Sequence, residues 1–457
     1  MKYRRIAFFP LVRTTFDVPF ANQMISAAQE NLLQANFELI EPSAPISDQF
    51  SAREAARMLR THEIDALLVF QATFADTTLV ASLGEATDAP IFLWAVPEPW
   101  TGSRLRLNSL CGINLAAHAL MLRDYKFEYG YGAPNDPEIL QKLTRTAELG
   151  ALLRKLRSAR MGVVGEHPPG MDSCHLDQEQ LQKVFGINVT QIDLPSVFAR
   201  ARSMTTSQIQ PVREGLDEKL DNLAALDQEA LNNTLRVYLA LLELADELDL
   251  DGLAVRCWPE FFTEMGCAAC GAMSMLSNGF SGEALLPCSC EADINGTITQ
   301  WILQNLSNSP AFGTDMVGVD VAQNQIALWH CGLAPLSMAK PGEQPHGTIH
   351  SNRQLPLLMD FTLKPGAVTY ARISQAGEGL RLVIGEGEML DAPKPFSGTA
   401  GTLRPHCTAE FFLDSLIHRG LEHHLSVTYG YYASQLKELA RWINLPVLMM
   451  DDKEVRI

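Results

Sequence analysis

The chain has 457 residues, 47% of them hydrophobic, and 36 basic against 53 acidic side chains give it a formal net charge of -17. This length and apolar fraction allow several domains with buried cores and exclude a disordered or fibrous protein. The acidic balance disfavours nucleic acid and anionic membrane surfaces as partners, and no apolar run approaches the roughly 20 residues that span a bilayer.

The amino-terminal segment and the cysteines predict a cytoplasmic protein. The apolar run at 6–12 is short, contains Pro10 and is followed by Arg13 without a small-residue cleavage site. We therefore interpret it as a first buried strand and not as a signal peptide. The nine cysteines are an odd number spread over a long chain, which fits a reducing compartment.

The first part of the chain alternates strand-length apolar runs with helical periodicity. The predicted elements are strands at 6–12, 37–40, 64–70 and 90–96, helices at 20–37, 52–59 and 78–83, and a long charged helix at 137–160. This alternation predicts a parallel sheet with helices on both faces, in a domain that we place at 1–158.

The same alternation restarts at residue 161 and predicts a second α/β domain at 159–312. Its predicted elements are strands at 161–165, 189–194, 252–257 and 284–290, with helices at 229–248, 266–276 and 294–306. In open α/β sheets, ligands bind at the carboxyl ends of the strands. The residues just after Cys257 and Cys290 are therefore the first places where we expect function.

Beyond about residue 316 the chain changes to strands separated by Gly- and Pro-bearing turns. The predicted elements are strands at 317–321, 325–330, 357–363, 367–374, 380–386, 423–429 and 446–450, and helices at 409–418 and 434–443. The pattern predicts an antiparallel, β-barrel-like domain at 313–457. The predicted fold is thus two doubly wound parallel-sheet domains followed by this C-terminal barrel-like domain.

Glu260 is the first candidate for chemistry, because it follows the predicted strand at 252–257. Pro259 ends that strand and directs Glu260 towards the crevice where ligands bind. A surface carboxylate at the start of a loop is the structural alternative.

Glu291 and Asp293 lie at the next junction of a strand and a helix, close to Asn295. Two carboxylates and an amide supply the oxygen ligands that Mg²⁺ and Mn²⁺ favour. Asp293 could instead cap the helix that begins at Ile294, and the local spacing by itself favours capping.

His423 and His424 form the third candidate. Successive side chains of a strand face opposite ways, so we expect at most one of the two to reach a site. A hydrogen-bonded structural histidine is the alternative for either residue.

A rival site consists of four cysteines whose spacing loosely imitates a four-thiolate zinc site, namely Cys267, Cys270, Cys288 and Cys290. Both pairs lie in apolar segments. Buried thiols that pack as small hydrophobic side chains are therefore the favoured interpretation.

Together, these segments resemble the L-fucose isomerase and L-arabinose isomerase superfamily over essentially the whole chain. The resemblance is carried by Trp258-Pro259-Glu260, Cys290-Glu291-Ala292-Asp293-Ile294-Asn295-Gly296, His330-Cys331-Gly332 and His424-Leu425-Ser426-Val427-Thr428-Tyr429-Gly430. It implies a divalent cation, usually Mn²⁺ with Mg²⁺ or Co²⁺ as alternatives, held by Glu260, Asp293 and His424. Glu264 is the reserve for Glu260. The resemblance also implies a homo-oligomer, either a trimer or a hexamer.

The activity implied by this resemblance is aldose–ketose isomerisation of a free sugar or sugar derivative. A proton moves between C1 and C2 through a cis-enediol, the cation stabilises the oxygens, and Glu260 and Asp293 relay the proton as base and acid. The sequence does not identify the sugar, although Arg13, Arg256 and Arg353 are available cations for an anionic substituent. The alternatives from other classes are a non-catalytic two-lobed sugar-binding protein and a zinc-stabilised structural protein.

Overall fold

The computed structural model describes residues 4–377 and 379–451. The chain divides into two compact units, one up to Lys155 and one from Leu156 onwards. Within the described residues, none of the helices is both long enough and apolar enough to cross a membrane.

The first unit is built on a parallel sheet. Its strands, β1 to β5, are Arg4–Leu11, Phe37–Ile40, Ala66–Gln71, Ile91–Ala95 and Phe127–Tyr131. The helices that alternate with these strands, α1 to α5, are Val18–Gln34, Gln49–Thr61, Thr77–Gly84, Ser109–Met121 and Pro137–Ser158. The strand order is β2-β1-β3-β4-β5, and each neighbouring pair is parallel.

Helices cover both faces of this sheet, as the apolar runs predict. Phe9 of β1 lies in one buried apolar cluster with Val69, whereas the adjacent Phe8 lies in a separate cluster with Phe70. Since alternate side chains of a strand point to opposite faces, the two clusters are the two faces of one sheet. The prediction of a doubly wound parallel sheet is confirmed.

The second unit begins with another parallel sheet, in the order β7-β6-β8-β9. Its strands, β6 to β9, are Arg160–Val164, Asn188–Ile192, Gly252–Val255 and Cys288–Ser289. The accompanying helices, α6 to α12, are Gln178–Phe185, Leu194–Ser203, Thr206–Asp217, Gln228–Glu247, Glu260–Glu264, Cys270–Asn278 and Ile294–Ser307. Short 3₁₀ turns lie at Asp172–Cys174, Leu223–Ala225, Cys290–Ala292 and Leu336–Met338.

The strand predicted at 284–290 is much shorter in the structure. Only Cys288–Ser289 pairs with β8, and the chain then enters the 3₁₀ turn at Cys290–Ala292. Glu291 and Ala292 have φ values of 58° and 57°, and two successive residues in this left-handed conformation cannot continue an extended strand. The turn therefore separates the sheet from α12.

The remaining chain forms the predicted antiparallel barrel. Its strands, β10 to β18, are Phe312–Asp320, Gln325–His330, His346–Thr348, Leu358–Thr362, Gly366–Ser374, Arg381–Met389, Thr399–Pro405, His424–Tyr429 and Val447–Met449, and its helices, α13 and α14, are Ala409–His418 and Ala433–Trp442. The ring β16-β11-β10-β17-β14-β15 closes on itself because β15 also pairs with β16. Each pairing within this ring is antiparallel.

Helix α12 connects the parallel sheet to the barrel within the second unit. The Thr297 hydroxyl donates to the carbonyl of Leu253 in β8 at 2.9 Å. On the barrel side, the Ser426 hydroxyl of β17 donates to the carbonyl of Gly296 at 3.3 Å. One apolar cluster contains residues of both parts. The division of the chain at 158/159 and 312/313 stays a prediction.

The close contact between β14 and β15 gives a test of the barrel. Gly385 pairs with Tyr370, and a Cβ atom at residue 385 would lie 2.2 Å from two carbons of the Tyr370 ring. Because that ring is fully buried, we expect Gly385→Ala to lower the free energy of unfolding by about 1–3 kcal/mol. Gly318→Ala on β10 is the control, since its nearest neighbour would be the Ala327 Cβ at 3.6 Å. Equal urea-unfolding free energies for the two variants would contradict this packing.

Candidate active site

Asp293 caps helix α12. Its Oδ1 accepts a hydrogen bond from the backbone N–H of Gly296 at 3.0 Å. The predicted capping role is therefore confirmed. However, the residue is only 1% exposed, and a buried carboxylate is costly unless it has charged or hydrogen-bonding partners. Those partners show that capping is not its only role.

The second oxygen of Asp293 is shared by Arg372 and His424. Arg372 in β14 donates from Nη1 to Asp293 Oδ2, and the Nδ1 atom of His424, the first residue of β17, lies 3.0 Å from the same oxygen. Arg372 Nη2 also donates to the carbonyl of Ser173 at 3.1 Å. The structure thus brings together Asp293 and His424, two of the residues that the resemblance places at one cation.

Arg372 is a member of this cluster that the sequence patterns do not reveal. The sequence feature that could have indicated it is a basic residue between the apolar neighbours Ala371 and Ile373 of a predicted barrel strand. The side chain is buried, and its Nε lies 4.0 Å from Glu422 Oε2. Two acidic side chains therefore surround one buried guanidinium.

Glu291 approaches His424 from the turn before α12. Its Oε2 lies 3.9 Å from His424 Nε2 and 3.3 Å from His423 Nε2. Its Oε1 accepts a hydrogen bond from Trp258 Nε1 at 3.2 Å. The sequence placed Glu291 in a candidate segment but gave the third cation ligand to Glu260.

The expectation that His423 and His424 face opposite ways is wrong. Strand β17 begins at His424, so His423 precedes the strand and the alternation of strand side chains does not apply to it. The two ring centroids are 4.1 Å apart, and both Nε2 atoms approach Glu291. The pair differs in exposure, because the His423 side chain is 41% exposed and that of His424 is 8% exposed.

Asp315 and His330 lie on another side of His424. Asp315 is the cross-strand neighbour of His424, and its Oδ1 lies 3.3 Å from His424 Nε2. The His330 ring centroid lies 6.1 Å from that of His424. His330 belongs to a segment that carries the family resemblance, whereas Asp315 has no sequence signal.

The charges of the cluster shift the pKa values of its members. Burial alone raises the pKa of Asp293, but the charge of Arg372 and the hydrogen bond with His424 hold it well below its ordinary range. Burial alone lowers the pKa of His424, but the hydrogen bond with Asp293 and the close contact with the Asp315 carboxylate raise it well above its ordinary value. Burial raises the pKa of Glu291, yet its contact with His423 and the charge of His424 bring it below its ordinary value. The cluster therefore combines anionic carboxylates with a readily protonated imidazole.

Glu260 and Glu264 lie on the short helix α10. Both carboxylate oxygens of Glu260 accept hydrogen bonds from Arg256, at 2.9 Å from Nε and 2.6 Å from Nη2. The backbone carbonyl of Glu264 accepts from Arg202 Nη2 at 3.0 Å. Among the described residues, neither glutamate belongs to a group of three potential metal ligands. Their predicted roles stay predictions.

The four cysteines of the rival zinc site do not form one thiolate group. Among residues 4–377 and 379–451, no three of them bring their sulfur atoms within 4.8 Å of one another. The Sγ atom of Cys270 instead lies 3.1 Å from that of Cys331. The structure gives no support to a zinc site built on these cysteines.

The donor atoms around His424 suit a hard divalent cation. The described residues contain two groups of three potential ligands, Cys174 with Glu291 and His424, and Asp315 with His330 and His424, each with ligand atoms within 4.8 Å of one another. Asp315 Oδ1 is buried and has no hydrogen-bond partner, which is the state expected of an acceptor suited to a cation. Carboxylates and imidazoles are ligands that Mn²⁺ accepts, and they also transfer protons.

The chain is similar in sequence to known isomerases over nearly its whole length. A family model described as the N-terminal domain of fucose/sulfoquinovose isomerase matches residues 10–157, and a model of the L-fucose isomerase C-terminal domain matches residues 359–451. The sulfoquinovose isomerase of Alkalicoccus urumqiensis is 32% identical over 450 residues, which are 98% of this chain and 99% of that protein. The sulfoquinovose isomerase of Priestia megaterium is 30% identical over 447 residues, covering 97% of this chain and 99% of that protein.

A solved structure also has limited similarity to the chain. It is a periplasmic solute binding protein from Actinobacillus succinogenes with bound D-allose, and it covers 67% of this chain and 92% of its own. The TM-score of 0.18 and the sequence identity of 11% are too low to indicate a shared fold.

The buried ion pair between Arg372 and Asp293 generates a stability prediction. Arg372→Leu leaves Asp293 buried without its cation, so we expect it to lower the free energy of unfolding by about 3–5 kcal/mol. The control is Arg200→Leu, because Arg200 forms a partly exposed pair with Glu247 at 2.6 Å and its loss should cost at most about 1 kcal/mol.

The pH dependence of the unfolding free energy tests whether the ion pair between Arg372 and Asp293 causes the difference between wild type and Arg372→Leu. Because the pKa of Asp293 is lowered in the folded protein, its ion pair stabilises the fold above the ordinary carboxyl pKa of about 3.9, and this contribution is lost as the pH falls below that value. The stability difference between wild type and Arg372→Leu should therefore narrow in acid. Urea unfolding at several pH values measures it, and an Arg372→Leu protein as stable as Arg200→Leu would contradict the ion pair.

Proposed function

Because this chain belongs to the fucose/sulfoquinovose isomerase family and is an aldose–ketose isomerase, we propose that its substrate is sulfoquinovose, a glucose with a sulfonate in place of the C6 hydroxyl. The proposed product is the corresponding 2-ketose, formed through a cis-enediol. The observation that carries this proposal is the near-full-length similarity to relatives of that name. The buried cluster of Asp293, Glu291 and His424 supplies groups suited to the chemistry.

We propose that Glu291, Asp293 and His424 hold a divalent cation, with Mn²⁺ first and Mg²⁺ or Co²⁺ as alternatives. The fit is supported by the contacts of His424, which shares one group of potential ligands with Glu291 and lies 3.0 Å from Asp293, and by the unpartnered acceptor of Asp315. When bound, such a cation would stabilise the negative charge that develops on O1 and O2 of the sugar. Because a metal-binding imidazole must be deprotonated, His424 would lose its proton on binding.

In this proposal, Glu291 takes the role of cation ligand and proton-transfer group that the family resemblance implied for Glu260. Its carboxylate faces His424, whereas that of Glu260 is held by both nitrogens of Arg256. The lowered pKa of Glu291 keeps it anionic at neutral pH and able to accept the proton from C2. A cis-enediol presents both carbons on one face, so the same carboxyl group can return the proton to C1, while the proton that leaves the O2 hydroxyl is taken up by O1.

Asp293 keeps a part in this proposal as a fixed anion. The family resemblance implied that Asp293 is the second group of the proton relay, but Arg372 and His424 hold its pKa well below its ordinary range. A carboxyl group with such a low pKa is ionised at neutral pH and is therefore a poor proton donor. We propose that it holds the cation and orients the His424 ring through the contact at Nδ1.

Two further expectations remain proposals, a trimeric or hexameric homo-oligomer, which the family resemblance implies, and a cytoplasmic location, which the odd number of cysteines supports. A non-catalytic sugar-binding protein does not account for the similarity to isomerases over nearly the whole chain.

Turnover of sulfoquinovose and its dependence on metal test the proposed function. We expect purified protein to convert sulfoquinovose to its 2-ketose, to lose this activity after chelation and to regain it with Mn²⁺. His424→Gln should lower the Mn²⁺ affinity by more than about 100-fold because it removes a ligand. His423→Gln should lower the Mn²⁺ affinity by no more than about 100-fold, because His423 contacts Glu291 from an exposed position.

Calorimetric titration of Mn²⁺ and NMR detection of the ketose provide the measurements. Activity that survives complete metal removal would refute the metal proposal. A larger loss of affinity for His423→Gln than for His424→Gln would move the ligand role to His423.

Glu291→Gln and Glu260→Gln separate the two candidates for the proton-transfer group. We expect Glu291→Gln to lower kcat by about 10²- to 10⁴-fold and to stop exchange of the substrate C2 proton with deuterated solvent. Glu260→Gln should retain exchange because Glu260 is engaged by Arg256. Proton NMR of sulfoquinovose in deuterated buffer measures the exchange, and the reverse ranking would return the role to Glu260.

A further inference from the structure

We infer that Arg353 and His350 bind the sulfonate of the substrate, an inference that rests on the proposed function. A sulfonate carries one negative charge spread over three oxygens at every physiological pH. In a chain with a net charge of -17, its recognition needs a cation that is not already neutralised. The three arginines that the sequence offers for an anionic substituent differ in this respect.

Two of these arginines already face carboxylates. Arg256 donates to both oxygens of Glu260, at 2.9 and 2.6 Å. Arg13 lies 3.8 Å from the carboxylate of Asp76. Arg372, the buried arginine of the active-site cluster, is paired with Asp293. Arg256 and Arg372 therefore have no free charge to offer to a sulfonate, and Arg13 shares its charge with Asp76.

Arg353 keeps its charge available. In the part of the chain that the structure describes, no carboxylate oxygen lies within 4.0 Å of its guanidinium. The guanidinium carbon lies 5.8 Å from the centre of the Phe262 ring, a cation–π distance that orients the side chain without neutralising it. A guanidinium held in this way presents its fork of N–H donors to an oxyanion.

His350 adds a neutral donor beside Arg353. Its ring centroid lies 5.2 Å from that of Phe262, so both side chains use the same aromatic ring. The backbone N–H of Asn352 donates to His350 Nδ1 at 3.3 Å, which leaves Nε2 as the protonated nitrogen. Burial, the charge of Arg353 and the charge of His330 lower the pKa of His350, so the imidazole is neutral at pH 7 and Nε2 is a hydrogen-bond donor.

Backbone hydrogen bonds hold this pair in a closed loop. The N–H of His350 donates to the carbonyl of Leu355 at 2.9 Å, and the N–H of Gln354 donates back to the carbonyl of His350 at 2.7 Å. Arg353 N–H donates to the same His350 carbonyl at 3.2 Å. The loop therefore fixes the backbone positions from which the two side chains extend before a ligand arrives, which lowers the entropic cost of binding.

The pair is connected to the proposed reaction centre through the segment Trp258–Phe262 and through His330. Trp258 donates to Glu291, and Phe262, four residues further on, supports His350 and Arg353. On the other side, His330 is close enough to both His424 and His350 to affect their electrostatics. A sugar with C1 and C2 at Glu291 and His424 would extend its C6 end along Trp258–Phe262 towards Arg353.

Arg353→Gln tests this inference against a matched control. We expect the KM for sulfoquinovose to rise by about 10- to 100-fold with kcat within about twofold of wild type, because charged hydrogen bonds to the sulfonate are lost far from the reacting carbons. Arg353→Lys should recover part of the loss, since lysine restores the charge but not the fork. Arg404→Gln, an exposed arginine on β16 five residues beyond the Thr399 that pairs with His330, should leave KM unchanged.

A neutral competitor separates charge recognition from general damage. D-Glucose lacks the sulfonate, so its inhibition constant should be the same for wild type and Arg353→Gln. A KM for Arg353→Gln within twofold of wild type, or an equal loss of glucose and sulfoquinovose binding, would overturn the inference. Failure of the wild-type protein to convert sulfoquinovose would instead refute the proposed function.

Discussion

The buried charge of Asp293 is the constraint on which the rest of the site depends. A carboxylate in the core must be matched by cations and hydrogen bonds, and Asp293 obtains them from the start of α12, from Arg372 on β14 and from His424 on β17. Arg372 and His424 are 79 and 131 residues away from Asp293 in the sequence. One charge thus fixes the relative position of a helix end and two barrel strands.

The position of α12 explains why this charge can be buried. The helix packs between the second parallel sheet and the barrel and forms hydrogen bonds with both. The first turn of α12 is capped by Asp293 and follows the 3₁₀ turn after β9. It therefore lies between the carboxyl end of the parallel sheet and the barrel strands. Carboxylates from the turn and histidines from the barrel consequently converge within one compact unit.

The arginines around the proposed site differ in whether a carboxylate neutralises their charge. Arg256 and Arg372 are paired with carboxylates, so they fix Glu260 and Asp293 but offer no charge to a ligand. Arg353 lies over an aromatic ring and keeps its charge. For the proposed anionic substrate, this difference would separate the groups that maintain the reaction centre from those that select the substrate.

The sequence by itself determined the parallel sheets, the barrel and the family, because apolar periodicity and short motifs are local properties of the chain. It also selected Asp293 and His424 as candidate site residues, because each lies within a recognisable segment. Only the tertiary structure decided that His423 and His424 lie side by side, because that depends on where β17 begins. It alone placed Arg372, Glu291 and Asp315 around His424, since their proximity arises from strand pairing and helix packing between distant segments. It likewise decided which arginines are neutralised, because an ion pair is set by spatial neighbours and leaves no local pattern in the sequence.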